Sequence, residues 1–294
     1  MTEKHNLDKD MMQLLLQAQR NEITEYHIYS RLAKLVDDDH NRQILDRIAD
    51  HELRHYEFWQ THTEREVRPN RLKVNGYVWL ARLLGLTFGI RLMERGEKGA
   101  QQIYERLASR LSSAQHIIDD ENRHEDELIG MIDEEGLRYV GSVVLGLNDA
   151  LVELTGVLAG LTLALQHTRL IAMSGLITGI AASLSMGASE YLSTKSEQTG
   201  HNPLKASIYT GMAYILTVIL LIFPFFLLGS YLAALALTLI NAALIILVFT
   251  FYVSVTHDIM FRRRFIEMAT ISFGVALLSF AIGYLVREFL GVDI

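Results

Sequence analysis

Two stretches of this chain carry the same set of groups able to hold a metal ion: Asp50, Glu52, Arg54 and His55 in IADHELRH, then Asp119, Glu121, Arg123 and His124 in IIDDENRH. Each ends in Glu-x-x-His. On a helix that spacing stacks a carboxylate and an imidazole one turn apart on one face, and two such pairs facing each other can hold two metal ions. The repeat extends upstream, where Glu22 precedes Tyr29-Ser-Arg-Leu-Ala33 by seven residues and Glu97 precedes Tyr104-Glu-Arg-Leu-Ala108 by the same interval. Each repeat therefore supplies a lone glutamate and a Glu-x-x-His pair, the ligand inventory of a di-iron or di-manganese helical bundle. Glu25 and Glu94 lie three residues from the two lone glutamates and stand as alternatives or supplements to Glu22 and Glu97. Oxygen and imidazole donors suit Fe(II) and Mn(II), whereas a chain without cysteine builds neither thiolate zinc sites nor iron-sulfur clusters. Tyr29 and Tyr104 fit as core residues or as hydrogen-bond donors behind a bridging carboxylate.

Positioning these ligands takes a duplicated helical hairpin. Asp8 to Val36 reads as the first helix. The run Asp37-Asp38-Asp39-His40-Asn41 reads as a turn and N-cap for the second, which carries Glu52 and His55 and fades near Thr61. Thr63 to Asn75, with Pro69, is the connection that crosses to the second hairpin. Tyr77 to Met93 is apolar but contains Arg82 and Arg91, so it reads as the amphipathic start of the third helix rather than a membrane span. The fourth helix begins near Ser112 or Ser113 and passes Glu121 and His124. It then continues beyond Glu134 and Glu135 or breaks at Gly136.

The charges are divided unevenly. Residues 1 to 140 hold 46 of the 61 charged side chains, 20 basic and 26 acidic. The remainder is nearly uncharged and contains five apolar runs: Val143 to Leu165, Leu170 to Leu192, Ser207 to Leu228, Tyr231 to Val255 and Phe265 to Val286. Each reaches the roughly 20 residues that cross a bilayer as a helix. Met1 to Asp10 is polar and does not read as a signal peptide, so the first domain is expected to stay on the side where it is made. With that domain cytoplasmic, the loops holding Lys195 and Lys205 and holding Arg262, Arg263 and Arg264 are also cytoplasmic, and the opposite loops hold only Arg169. The C terminus then lies on the far side. A net charge of -7 with no basic, aromatic-interleaved patch argues against nucleic acid as a partner.

Acidic residues inside a span call for a functional or pairing explanation. Asp149 and Glu153 lie four apart on the first span, and Met186 and Glu190 four apart on the second, with Ser183 on much the same stripe. Carboxylates with a thioether make a path for a dehydrated divalent transition metal, and the thioether favours iron over magnesium or calcium. Carboxylates that release protons on binding metal also offer coupling to proton counterflow. All four positions have ordinary readings too: Asp149 as a helix-start residue, Met186 as core packing, Glu153 as a buried carboxylate without a function, Glu190 as a snorkelling or solvated interfacial group. Gly156 with Gly160 and Gly175 with Gly179 permit close helix packing or dimerisation. Pro224 and Asn241 could mark a kink and an interhelical hydrogen bond.

At these residues the chain resembles two families joined head to tail. Residues 8 to about 135 resemble the rubrerythrin branch of ferritin-like proteins, through Glu22, Glu52-x-x-His55, Glu97 and Glu121-x-x-His124. Residues 140 to 290 resemble the vacuolar iron transporter family, through Gly146-Leu-Asn-Asp149-Ala-Leu-Val-Glu153-Leu-Thr-Gly156 and Ser185-Met186-Gly-Ala-Ser-Glu190-Tyr. The resemblance implies an all-α chain: a cytoplasmic ferritin-like four-helix bundle over residues 1–139, then a five-helix transmembrane domain over residues 140–294. It implies a homodimer in a prokaryotic cell membrane that moves Fe(II), with Mn(II) as a second cargo, out of the cytoplasm in exchange for protons. Asp149 and Met186 carry over the family's metal path, and Glu153 and Glu190 join by position and chemistry. Two departures are evident. Without cysteine there is no rubredoxin-type electron relay, and Ser193 to Leu204 is a short loop where transporter relatives often carry a Glu-rich helical insertion. In the transporter reading the bundle captures, senses or oxidises iron; the alternatives are a membrane-anchored di-iron oxidase or peroxidase whose spans serve as anchor, and a metal sensor in which occupancy of the bundle gates the transporter without chemistry.

Overall fold

The structure, a computed structural model, describes residues 9–131, 139–197, 201–257 and 259–290, with the side chains of 97–102 and 290 outside the description. Among the described residues there are ten α-helices and no strand. They fall into two compact units, Met1–Asp133 and Glu134–Ile294.

The first unit holds α1 (Lys9–Ala33), α2 (Asp39–Thr63), α3 (Arg71–Leu84), α4 (Leu86–Ala108) and, after a 3-10 turn at Ser112–Ala114, α5 (Gln115–Gly130). Asp38 caps α2 by accepting from the Asn41 backbone N–H at 2.7 Å, as the acidic run predicts. Two expectations are corrected here. The connection after α2 is shorter than read, because Asn70 caps a new helix at Arg71 by accepting from the Lys73 N–H. The apolar stretch Tyr77 to Met93 is not the start of one helix but the joint of two. Gly85 breaks it with φ 97, a conformation natural to glycine, and α4 folds back so closely that a Cβ on Gly89 would lie 2.6 Å from that of Ala81. Among its described residues the unit thus has five helices where four were expected. α5 ends at Gly130, and Asp8, Glu134, Glu135 and Gly136 lie outside the described residues.

Three helices of this unit share one pattern. Met11, Leu15, Ala18, Glu22, Tyr29 and Leu32 of α1 are buried at alternating intervals of three, four or seven residues. So are Leu45, Ile48, Glu52, His55 and Trp59 of α2, and Ile117, His124 and Leu128 of α5. This is the seam that packed helices fill with apolar side chains. Glu22, Glu52, His55, Glu121 and His124 occupy seam positions in its middle. Apolar clusters flank that polar layer, one built on Leu15, Trp59, Leu107 and Ile117, the other on Leu32, Leu45, Ile48 and Leu128.

The second unit holds α6 (Val140–Leu165), α7 (Thr168–Glu197), α8 (Pro203–Leu227), α9 (Tyr231–Thr256) and α10 (Phe261–Leu290). All five are long and apolar enough to cross a membrane. Small residues set how they pack. A Cβ on Gly160 would lie 3.0 Å from the Ser279 carbonyl of α10, and one on Gly179 would lie 2.6 Å from Val218 of α8. Gly156 and Gly175 are closed likewise by Val275 and by Leu158, so both glycine pairs serve packing within the chain. Pro224 in α8 lacks the N–H that would bond the Leu220 carbonyl four residues back. Asn241 of α9 fills that place, donating to Leu220 O at 3.0 Å.

Candidate metal centre

Ligand-capable atoms of Glu22, Glu52, His55 and Glu121 all lie within 4.8 Å of one another. Three helices deliver them. His55 Nδ1 stands 3.5 Å from Glu22 of α1, 3.7 Å from Glu52 of its own helix, and 3.4 Å from Glu121 of α5. His124 of α5 turns its Nδ1 to Glu52, 3.1 Å away, so Glu52 lies between the two imidazoles. The rings of His55 and His124 are 6.0 Å apart.

Whether these residues fit a metal can be tested on their unused bonding capacity. Glu22 Oε2, Glu52 Oε2, His55 Nδ1, Glu121 Oε1 and His124 Nδ1 are buried and have no hydrogen-bond partner. Buried polar atoms are otherwise almost always partnered. These five atoms come from three helices, and with four of the residues in one group they make a set of oxygen and imidazole donors able to hold a metal ion.

Burial shapes the charge of the cluster. It pushes Glu22 up to about 7, aided by the neighbouring Glu52 charge and opposed by His55. Burial also raises Glu121. His55 is disfavoured as a cation by burial, yet the facing carboxylates of Glu121, Glu22 and Glu52 outweigh that and raise it strongly. Three converging carboxylates thus demand a cation among them, and a proton on His55 competes with metal for that role.

Of the residues expected from sequence, the structure brings together Glu22, Glu52, His55, Glu121 and His124. Glu97 sits on α4, its side chain outside the described residues. Glu25 lies beside the cluster, in the wall of a cleft with Asn21, Lys73 and Tyr77. Glu94 faces Arg91 at 3.6 Å. Sequence reasoning missed three supporting groups. Trp59 Nε1 donates to Glu22 Oε1 at 3.0 Å, Asp120 stands 3.2 Å from the outer nitrogen of His55, and His51 stands 2.9 Å from that of His124. Asp120 and His51 occupy equivalent places in the two repeats, so the repeat itself held the signal. Tyr104 is buried with its hydroxyl unpartnered, stacked on Trp59, and burial together with the nearby carboxylates raises it far above the usual phenol range.

In the second unit Asp149 and Glu153 lie on α6, and Met186 and Glu190 on α7. They do not converge as the first cluster does, which is the one such group of acidic and histidine ligands among the described residues. Instead each glutamate takes one hydroxyl from a neighbouring helix. Tyr214 of α8 donates to Glu153 at 2.8 Å, and Ser142 of α6 donates to Glu190 at 2.6 Å. Met186 packs at the edge of the apolar core, and the side-chain oxygen of Asn148, next to Asp149, is buried without a partner.

Residues 140–201, which include α6 and α7, match the VIT family. Together with the five apolar helices, this supports an integral membrane protein, one segment of which is similar to a family of membrane metal-ion transporters. No curated protein and no solved structure matches the chain. The likeness of residues 8–135 to rubrerythrins therefore rests on the ligand pattern alone.

Proposed function

We propose that the protein exports Fe(II), with Mn(II) as a second cargo, from the cytoplasm by proton antiport, and that α1, α2, α4 and α5 form a di-iron bundle that captures the metal first. The observation that carries this reading is the buried Glu22, Glu52, His55 and Glu121 group in one chain with a VIT-family segment. Asp149, Glu153, Met186 and Glu190 line the path, with Tyr214 and Ser142 holding the two glutamates in place. Each carboxylate that takes up an ion gives up a proton or a hydroxyl contact, which links metal passage to proton return. In this reading the first unit lies in the cytoplasm of a prokaryotic cell and the C terminus opposite, an orientation supported by the basic residues Lys195, Lys205, Arg262, Arg263 and Arg264, and the chain works as a homodimer.

The test is flux of Fe(II) and Mn(II) into proteoliposomes under an imposed pH gradient. Asp149→Ala and Met186→Ala each abolish it; normal flux in both removes the proposed path. A second reading, a membrane-anchored di-iron oxidase or peroxidase, is favoured by the unpartnered Tyr104 hydroxyl stacked on Trp59 beside the carboxylates. Bound iron would supply the redox chemistry with oxygen or peroxide. Turnover lost in Glu52→Ala and His124→Ala, with no flux in liposomes, decides for it.

A further inference from the structure

His51 and Asp120 each stand one residue before the glutamate of a Glu-x-x-His pair. The fold uses them reciprocally. Asp120 on α5 reaches His55 on α2, with Oδ2 3.2 Å from Nε2, while His51 on α2 reaches His124 on α5, with Nδ1 2.9 Å from Nε2. In both ligand rings the outer nitrogen is engaged and the inner one, Nδ1, is buried and unpartnered. A ring that offers Nδ1 to a metal carries its proton on Nε2. Asp120 therefore accepts from His55, and His51 Nδ1 accepts from His124.

The two acceptors are chemically unlike. Asp120 is a carboxylate, held by an ion pair with Arg123, and its charge strengthens the imidazole it bonds as a donor to metal. His51 offers a ring nitrogen, a weaker acceptor without charge when neutral. Among the described residues three carboxylates face His55 Nδ1, Glu22 at 3.5 Å, Glu52 at 3.7 Å and Glu121 at 3.4 Å, and one, Glu52 at 3.1 Å, faces His124 Nδ1.

We propose that Asp120 and His51 are positioning residues that make the two metal positions unequal: the ion beside His55 is held tightly, and the ion beside His124 is weakly held and exchangeable. The proposal rests on reading the cluster as a two-ion bundle and adds which of its ions is free to leave. In a capture site the weakly held divalent ion is the one that can be passed on.

Mn(II) titrated into the detergent-solubilised full chain, followed by electron paramagnetic resonance and calorimetry, tests this. The Glu52→Ala chain measures binding by the rest of the molecule. The wild type is expected to show an isolated Mn(II) signal at the first equivalent and an exchange-coupled pair only at the second. Asp120→Asn lowers the first affinity about ten- to a hundredfold and leaves the second in place. His51→Asp strengthens the second and merges the two steps. A coupled pair from the first addition overturns the inequality, as does Asp120→Asn weakening both steps alike or neither. A lower unfolding temperature of metal-free Asp120→Asn with unchanged affinities makes Asp120 merely structural and also overturns it. Wild type binding no more Mn(II) than Glu52→Ala defeats the two-ion bundle itself, a result distinct from the others.

Discussion

Replacing Glu22 by glutamine should stabilise the metal-free chain and remove its response to metal. Glu22 is fully buried, and burial raises its carboxyl from 4.5 to about 7. At about 1.4 kcal/mol per unit, ionising it inside the fold costs about 3 kcal/mol relative to the unfolded chain. The sign follows from proton binding. With the folded value above the unfolded one, the folded state binds more protons, so the contribution to stability is full below about pH 4.5 and lost as pH rises through about 7. Glutamine keeps the shape and an oxygen to accept from Trp59 Nε1 but does not ionise. At pH 8 the variant should therefore be about 3 kcal/mol more stable than wild type, and at pH 4 nearly equal to it. The chain has two tryptophans, Trp59 and Trp79, both in the first unit, so their fluorescence follows its unfolding. In chelator at pH 8 the expected rise in melting temperature is about 10 °C. Mn(II) at about a hundred times its Kd should add about 2.7 kcal/mol to wild type and far less to the variant. A variant that melts at or below wild type at pH 8, or that gains as much from Mn(II), refutes the argument that these carboxylates trade apo stability for metal binding.

Other perturbations read the second unit. Asn241→Leu leaves the Leu220 carbonyl without the donor that Pro224 cannot supply, and should lower stability in detergent by about 1 kcal/mol. Pro224→Ala in the same chain restores a backbone donor, so additive losses in the double variant would falsify that account. Gly179→Ala drives a methyl into Val218 and should destabilise by about 1–3 kcal/mol, while Gly274→Ala, with open space around it, should stabilise by about 0.5–1 kcal/mol in thermal melts. Tyr214→Phe frees Glu153 from its one hydroxyl partner and should cut Mn(II) flux in proteoliposomes severalfold. Combined with Glu153→Gln it should add little, and unchanged flux in Tyr214→Phe removes the Tyr214–Glu153 pair from the transport mechanism.

The cluster was legible because its ligands break a helical seam. Glu52 and His55 stand where a packed helix puts leucine, and a second copy of the pattern makes chance unlikely. Its supports were harder to read. His51 and Asp120 act across the gap between α2 and α5, and a single repeat does not show which neighbour each will face. The break at Gly85 was missed for a related reason: composition marked Tyr77 to Met93 as apolar, but a left-handed glycine and the fit of Gly89 on Ala81 are properties of two packed helices. In the second unit the five spans follow from length and hydropathy, whereas the partners of Glu153 and Glu190 depend on which helix lies beside α6 and α7. Periodicity carries no information on that choice.

The contrast between the two sets of acidic groups bears on transport. Buried, unpartnered atoms of Glu22, Glu52, His55 and Glu121 converge in the first unit, an arrangement that would gain most from an ion and yield it slowly. In the second unit no such group of acidic and histidine side chains occurs among the described residues, and Glu153 and Glu190 each accept from one hydroxyl, of Tyr214 and of Ser142. An ion arriving at Glu153 or Glu190 must replace that hydrogen bond, so its net gain at each is small. A path needs sites favourable enough to enter and weak enough to leave, and several modest sites conduct where one strong site would trap. Converting the second set into the first, by bringing its carboxylates together, should therefore raise metal affinity and lower flux. The reverse in the bundle, Glu52→Gln, should lower affinity without slowing transport at saturating metal. That pair of opposite outcomes separates a holding site from a passage, and equal effects on affinity and flux in both units would show that the two sets do the same work.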